Sequence, residues 1–153
     1  PDEIYHRPAN AFVGTFIGSP SMNLLRGTLE NRDGAITVAG NDWRMVLPPD
    51  LAGALEAAGR PSDVIVGCRP SHVRLSHDTS ASGFPAEVYT IEPTGEVTYV
   101  HLRVGTLLLV AAVDPAFAVS VGDRVWVDFP TEWMHLFDGA TERSILRDLP
   151  VPA

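Results

Sequence analysis

Apolar and polar residues alternate in short runs through most of this sequence, and glycine, proline and Asx-Gly steps separate the runs. Alternation with a period of two places successive side chains on opposite faces of a strand, so the pattern is typical of half-buried β-structure. The Asp33-Gly34 step supplies the positive φ that a two-residue hairpin turn requires. We predict eight strands, at residues 24–29, 35–39, 43–47, 64–68, 86–92, 97–104, 107–113 and 124–129. Short strands in this number favour a small barrel or sandwich over a parallel sheet.

Two segments have helical rather than alternating character. Asp50 is placed to N-cap a short helix over residues 51–58, which Gly59 and Pro61 end. Residues 1–17 are also predicted to be helical, because they carry an apolar stripe at helical spacing: Phe12, Val13, Phe16 and Ile17. Residues 76–83 are polar and form a connector, which is a candidate sub-domain boundary.

The length of 153 residues suits one ordinary domain or two small lobes and is enough to bury a real core, and a single compact unit is the default expectation. The sequence begins at Pro1 without a basic and apolar leader, so we expect a fragment of a larger protein rather than a secreted precursor. The longest apolar run, residues 107–113, is far shorter than the roughly 20 residues of a membrane-spanning helix. Cys68 is the only cysteine, which excludes an intrachain disulfide and suits a reducing compartment.

All eleven basic residues are arginines, so the chain contains no lysine. A phosphate-binding loop of the G-x-x-x-x-G-K-[ST] type needs its lysine to reach the β- and γ-phosphates, and ATP hydrolysis of this usual kind is therefore excluded for this chain. The formal net charge of −8 disfavours binding to nucleic acid or to an anionic lipid surface, because the phosphate term would be repulsive.

The five histidines do not form a metal or catalytic motif. No two of them have i, i+4 spacing, no cysteine cluster accompanies them, and the sequence has neither a nucleophile elbow nor paired carboxylates. We expect structural hydrogen-bonding roles for all five: His6, His72, His77, His101 and His135.

Several short motifs occur in a fixed order along the chain: Glu-Ile-Tyr-His-Arg-Pro-Ala-Asn-Ala-Phe-Val at 3–13, Phe-Ile-Gly-Ser-Pro-Ser-Met-Asn at 16–23, Gly-Cys-Arg-Pro-Ser-His at 67–72, Val-Gly-Asp at 121–123 and His-Leu-Phe-Asp at 135–138. Together they resemble the ATP-binding subunits of maltose and glycerol-phosphate type ABC importers. Each motif alone is weak, and their ordered occurrence over residues 3–138 makes the resemblance specific. Ser71 departs from the family, which usually has Glu at this position.

The resemblance implies a mainly β fold, an OB-type (TOBE) β-barrel regulatory domain with a short N-terminal helix and one internal short helix. Residues 1–20 would be the C-terminal helix of the preceding nucleotide-binding domain and a linker, residues 21–147 the regulatory domain, and residues 148–153 a tail. The segment 135–138 would be the final strand.

The same resemblance implies a non-catalytic regulatory and dimerisation role within the ATPase subunit of a bacterial carbohydrate importer. Expected partners are the chain's own nucleotide-binding domain, a second copy of the subunit and, through the parent protein, the membrane permease subunits. We expect no nucleic acid, no direct membrane insertion and no cofactor in this chain, with ATP and Mg²⁺ in the parent. The expected location is cytoplasmic, peripheral on the inner face of the plasma membrane.

Ten residues are candidates for family-specific interfaces: Phe12, Phe16, Asn23, Arg69, Pro70, His72, Gly95, Glu96, His135 and Phe137. Arg69 before Pro70 can present a planar donor fork to a carboxylate, although an ion pair that serves only the fold is the commoner role.

Two other functions remain open for the sequence. One is a domain that senses a sugar or an oxyanion. The other is a nucleic-acid-binding OB domain, for which Trp43, Trp126 and Trp133 would stack on bases. With the negative net charge, packing in the core or at a protein interface is the better explanation of these tryptophans.

Overall fold

The computed structural model describes residues 21–145, which form ten strands and one short α-helix. In chain order the elements are β1 (Asn23–Arg32), β2 (Ala35–Gly40), β3 (Trp43–Val46), α1 (Ala52–Ala57), β4 (Asp63–Cys68), β5 (Arg74–Ser76), β6 (Phe84–Pro93), β7 (Thr98–Val104), β8 (Leu107–Val113), β9 (Arg124–Asp128) and β10 (His135–Asp138). The predicted mainly β composition and the internal helix are confirmed. The predicted N-terminal helix, with Phe12 and Phe16, lies outside the described residues.

The strands form two five-stranded antiparallel sheets. Sheet one has the order β10-β4-β1-β2-β3, and sheet two has the order β5-β9-β6-β7-β8. The chain leaves sheet one after β4, builds all of sheet two, and returns to pair β10 with β4. Sheet one is therefore made of segments from both ends of the described region.

Local sequence explains the first hairpin. Arg32 pairs with Ala35, which leaves Asp33 and Gly34 as a two-residue turn, both with positive φ (53° and 82°). Positive φ at both central residues is the geometry that matches the twist of the flanking strands. The predicted Asp-Gly hairpin is confirmed.

The inward faces of the two sheets share one hydrophobic core. Leu25, Val38 and Val66 from sheet one and Val88 and Leu102 from sheet two are all completely buried in it. Alternate residues of each strand point inward, as in the β7 pattern from Thr98 to Val104. The first and last strands of sheet two, β5 and β8, also contact each other, so this sheet curls towards a barrel.

A second, smaller cluster lies on the opposite face of sheet one and contains Met22, Ile65 and Phe137. As a result β4 is buried on both faces from Val64 to Cys68. A strand with two covered faces reads as a continuous apolar run, which is how residues 64–68 appear in the sequence.

The predicted cap of the internal helix is wrong. Residues Pro49–Leu51 form a 3-10 turn that runs into α1, and the Asp50 side chain makes no capping hydrogen bond. The fixed φ of Pro49 starts the turn one residue earlier, which places Asp50 inside it. The helix ends before Gly59, as predicted.

The sequence pattern missed β5, which is only three residues long and too short to show alternation. The chain consequently changes sheets within residues 69–73, before the polar connector in which a boundary was expected. In the stretch from residue 21 to residue 145, no helix is long and apolar enough to cross a membrane.

Candidate functional site

Asn23, the first residue of β1, joins the two sheets through its side-chain amide. Its Nδ2 donates to the carbonyl oxygens of Val110, at 2.8 Å, and Cys68, at 3.1 Å. Its Oδ1 accepts a hydrogen bond from the Val110 N–H at 2.9 Å. Val110 lies in β8, an edge strand of sheet two, so the amide satisfies one N–H and one C=O of that edge. Asn23 is only 8% exposed, which makes these bonds costly to lose.

The Arg-Pro-Ser-His motif forms the first crossing between the sheets. Pro70–His72 is a 3-10 turn in which the His72 N–H donates to the Arg69 carbonyl at 2.9 Å, and this turn packs against β8. Arg69 is 3% exposed and Pro70 is buried, so Arg69 is not a surface residue that presents its fork to solvent. Ser71 is exposed, so a longer side chain would have room at this position.

His72 connects the two crossings to each other. Its ring stacks on Trp133 with the ring centroids 3.8 Å apart and an interplanar angle of 11°. Trp133 lies in the 3-10 turn Thr131–Trp133, through which the chain returns to sheet one before β10. The stacked pair therefore holds the outgoing and the returning segments side by side.

Cys68 ends β4 between Asn23 and the Arg-Pro turn. Burial raises the pKa of its thiol to about 12, while the positive charge of Arg69 acts in the opposite direction. The Sγ donates a weak hydrogen bond to the Arg69 carbonyl at 3.7 Å. A thiol that keeps its proton at neutral pH is a poor nucleophile, so Cys68 acts as a small core residue.

His135 and Phe137 lie on β10, opposite Gly67 and Ile65 of β4. Their rings are nearly parallel, 14° apart, with centroids separated by 6.4 Å. A Cβ at Gly67 would lie 2.7 Å from the Met22 Sδ, so glycine leaves the space in which this methionine packs. These residues cover the outer face of sheet one.

The structure brings together six of the ten predicted candidates. Asn23, Arg69, Pro70 and His72 meet where the sheets join, and His135 and Phe137 cover the adjoining strand β4. Gly95 and Glu96 instead occupy the exposed turn between β6 and β7, closed by the Thr94 hydroxyl, which donates to the Val97 carbonyl at 2.7 Å. Phe12 and Phe16 lie outside residues 21–145, so their roles stay predictions.

The sequence did not indicate the contacts that the candidate residues make within the fold. Asn23 binds the backbone of Val110, and the sequence does not indicate which backbone group a side chain will bind.

The three tryptophans have different environments: Trp43 packs against Phe84 in the core, Trp133 stacks on His72, and Trp126 lies half-buried in β9. Among the described residues no three His, Cys, Asp or Glu side chains are grouped as metal ligands would be.

Two domain families match the chain. The model of the MalK OB fold domain matches residues 18–73, and that of the TOBE domain matches residues 66–137. Their overlap, 66–73, contains Cys68 and the Arg-Pro-Ser-His turn, so the two families meet where the chain passes from sheet one to sheet two.

Curated relatives match nearly the whole chain. The sn-glycerol-3-phosphate import ATP-binding protein UgpC 2 of Agrobacterium fabrum is 38% identical over 145 residues, covering 95% of this chain and 37% of its own length. The sulfoquinovosyl glycerol transport ATP-binding protein SmoE of the same organism is 37% identical over 150 residues, covering 95% of this chain and 39% of its own length. The chain thus spans less than half the length of these relatives.

Among solved structures, the cytoplasmic molybdate-binding protein ModG has a similar fold, with a TM-score of 0.53 and 16% sequence identity. The alignment covers 74% of this chain and 94% of that one. At this identity the likeness concerns the fold alone.

Proposed function

Since the MalK OB fold domain and the TOBE domain together match residues 18–137, we propose that the chain is the non-catalytic regulatory and dimerisation part of the ATP-binding subunit of a bacterial carbohydrate ABC importer. One observation carries this proposal. The relatives align with 95% of this chain but with only 37% to 39% of their own length, so the chain corresponds to one portion of an ATP-binding subunit. The absence of lysine is consistent with a portion that lacks the phosphate-binding loop.

A dimerising role has a physical rationale in such a transporter. Two ATPase halves separate after each hydrolysis cycle, and a permanent contact elsewhere keeps their effective concentration high. A regulatory surface on the same domain can then favour the open or the closed pair by binding one of them better.

The covered sheet edges limit how two copies can meet. Asn23 occupies part of the β8 edge, while Ser144 bridges to Phe137 and the Ile145 N–H donates to the Leu136 carbonyl along β10. Edges that already have partners are poor sites for adding a strand from another chain. We therefore infer that two copies do not join through the β8 or the β10 edge.

The parent protein supplies the other partners in this proposal. Its nucleotide-binding domain would bind ATP and Mg²⁺ and would contact the permease subunits, which places this domain at the cytoplasmic face of the plasma membrane. Neither ATP nor a metal ion has a role inside the chain itself.

Size-exclusion chromatography with light scattering on the chain tests the dimerisation role. We expect a dimer whose mass is retained on dilution into the micromolar range. A strict monomer at high concentration contradicts this role. An ATPase assay of the same sample is expected to show no turnover, and the full-length parent serves as the positive control.

A second function is favoured by one observation, a cavity of about 420 Å³ between β3 and the end of β9. A cavity of this size is within the range of small-molecule sites. The domain would then sense a small solute and bias the ATPase accordingly.

A further inference from the structure

The cavity lies where sheet one and sheet two diverge. The end of β3 and the following residues up to Pro49 form one wall, and the segment from Asp128 to Met134 forms the other. Its floor consists of buried apolar side chains, namely Met45, Leu47, Phe129 and Met134. An apolar floor under a polar rim is the usual composition of a small-molecule site.

The Asp128 carboxylate on the rim is held in one orientation. Its Oδ1 accepts hydrogen bonds from the Ser82 hydroxyl at 2.8 Å and the Ser80 hydroxyl at 2.9 Å. Gly83 allows this close approach, because a Cβ there would lie 2.8 Å from the same oxygen and closer still to the Val127 carbonyl. Within residues 21–145 no hydrogen bond or ion pair engages Oδ2. The rim thus contains a positioned acceptor, one oxygen of which has no partner among the described residues.

Arg74 and Glu132 complete the charged rim. Arg74 is the cross-strand neighbour of Asp128, and its guanidinium lies 3.7 Å from the Glu132 carboxylate. Both side chains are more than half exposed, so this ion pair is weak and can rearrange around a ligand. Two carboxylates against one guanidinium leave the rim with a net negative charge.

We propose that this cavity binds a small neutral polyol, such as a sugar or glycerol. The Asp128 carboxylate would accept hydrogen bonds from adjacent hydroxyls, Arg74 would donate to a hydroxyl oxygen, and the C–H faces of the ligand would rest on Met45 and Phe129. Phosphate and other oxyanions are disfavoured, since they would face two carboxylates. This inference rests on the sensing function proposed above and is independent of the dimerisation role.

Calorimetric titration of the chain with glucose, glycerol, sn-glycerol 3-phosphate and inorganic phosphate tests the proposal. We expect saturable binding of glucose or glycerol and weaker binding of both phosphate-bearing compounds. No heat from either neutral polyol, or preferential binding of inorganic phosphate, overturns the proposal. Light scattering on the same sample keeps a failure of this inference distinct from a failure of the dimerisation role.

Two variants assign the binding to the cavity. Asp128→Asn keeps an acceptor for the serine hydroxyls but loses the charge, and we expect affinity to fall about tenfold, the loss expected of one charge-assisted hydrogen bond. Asp114→Asn is the matched control, because Asp114 also orders a turn, through the Ala116 N–H at 2.8 Å, but does not line the cavity. Equal affinities for the two variants contradict the assignment.

If Asp128→Asn does not fold, chemical-shift mapping on the unmodified chain tests whether the ligand binds in the cavity. Glucose or glycerol should shift the amide signals of Ser82, Asp128 and Thr131, which line the rim. Shifts confined to the exposed turn at Gly95 and Glu96 would place the ligand elsewhere and overturn the proposal.

Discussion

At the scale of single residues, Asn23 joins β1, β4 and β8 through one amide group. Asn23→Ala leaves the buried Cys68 carbonyl with one partner fewer and removes both bonds to the Val110 backbone. We expect the free energy of unfolding to fall by about 2–3 kcal/mol, measured by urea denaturation.

The matched control for this substitution is Asn31→Ala, which removes the same side chain near the exposed end of the same strand. Its effect should stay within about 0.5 kcal/mol. Equal losses from the two variants would show that the bonds to Val110 and Cys68 contribute little.

Cys68 predicts a pH dependence at the residue scale. Its thiol has a pKa of about 12 in the folded chain against an ordinary value of 9.0, because burial disfavours the thiolate. Above pH 9 the unfolded chain loses this proton while the folded chain keeps it, so the free energy of unfolding falls as the pH rises towards 12. The slope contributed by this group is at most about 1.4 kcal/mol per pH unit.

Comparison with Cys68→Ala isolates the contribution of this thiol to the pH dependence. Denaturation midpoints of the two proteins should converge between pH 9 and 12 and stay parallel below pH 9. Parallel behaviour over the whole range contradicts the raised pKa.

The sequence identified residues at the place where the two sheets join, but it did not identify the contacts that they make there. Family motifs pointed to Asn23 and Arg69. However, the partner of Asn23 is a backbone group 87 residues away, and backbone groups are alike at every position. Arg69 was expected to form an ion pair or to present its guanidinium to a carboxylate. It is buried because of the turn at Pro70 and the packing of that turn against β8. A local sequence pattern does not encode such tertiary packing.

At the scale of elements, β1 needs glycine at position 27. A Cβ there would lie 2.7 Å from Val38 Cγ1 and 2.8 Å from the Ala39 carbonyl oxygen on the neighbouring strand. Gly27→Ala should lower the free energy of unfolding by about 1–3 kcal/mol, since backbone atoms cannot move aside cheaply. Thermal or urea denaturation measures the change.

Gly53 in α1 provides the opposite case. Nothing lies within 4 Å of the position of its Cβ, and glycine disfavours a helix through the entropy of the unfolded chain. Gly53→Ala should therefore raise the free energy of unfolding by about 0.5–1 kcal/mol. Destabilisation by this variant would mean that α1 does not have the described backbone.

Strands were predictable from alternation, as in β7, or from a continuous apolar run, as in β4 and β8. The three-residue strand β5 shows neither pattern and was missed. The three residues of β5 are strand-forming only because β9 offers a partner, and Pro49 moved the start of the helical turn ahead of Asp50. Local sequence patterns indicate only local conformational preferences, and pairing with other strands determines the rest of the secondary structure.

At the scale of the whole molecule, the net charge argues against binding of nucleic acid. A formal charge of −8 repels the phosphate backbone of a single strand, and Trp43, only 6% exposed, is too buried to stack on a base. We expect no change in the anisotropy of a labelled single-stranded oligonucleotide, even at low salt. Binding that weakens steeply with added salt would contradict this, and an oligonucleotide-binding OB protein is the positive control.

The periodicity of the sequence did not predict that the strands divide into two sheets, although the predicted number of strands was nearly right. Periodicity assigns each strand a buried face, but it does not say that β10 pairs with β4 rather than with the nearer β9. Only the family resemblance indicated that residues 135–138 close the fold.

That pairing has a consequence for how the protein is made. Residues 23–68 leave the ribosome before the residues of sheet two, yet β4 lacks a neighbour on one side until residues 135–138 have emerged. Throughout the translation of sheet two, an apolar strand with an open edge is accessible to other nascent chains. Chaperones that recognise extended apolar segments should therefore bind ribosome-attached chains from which β10 has not emerged and release those from which it has.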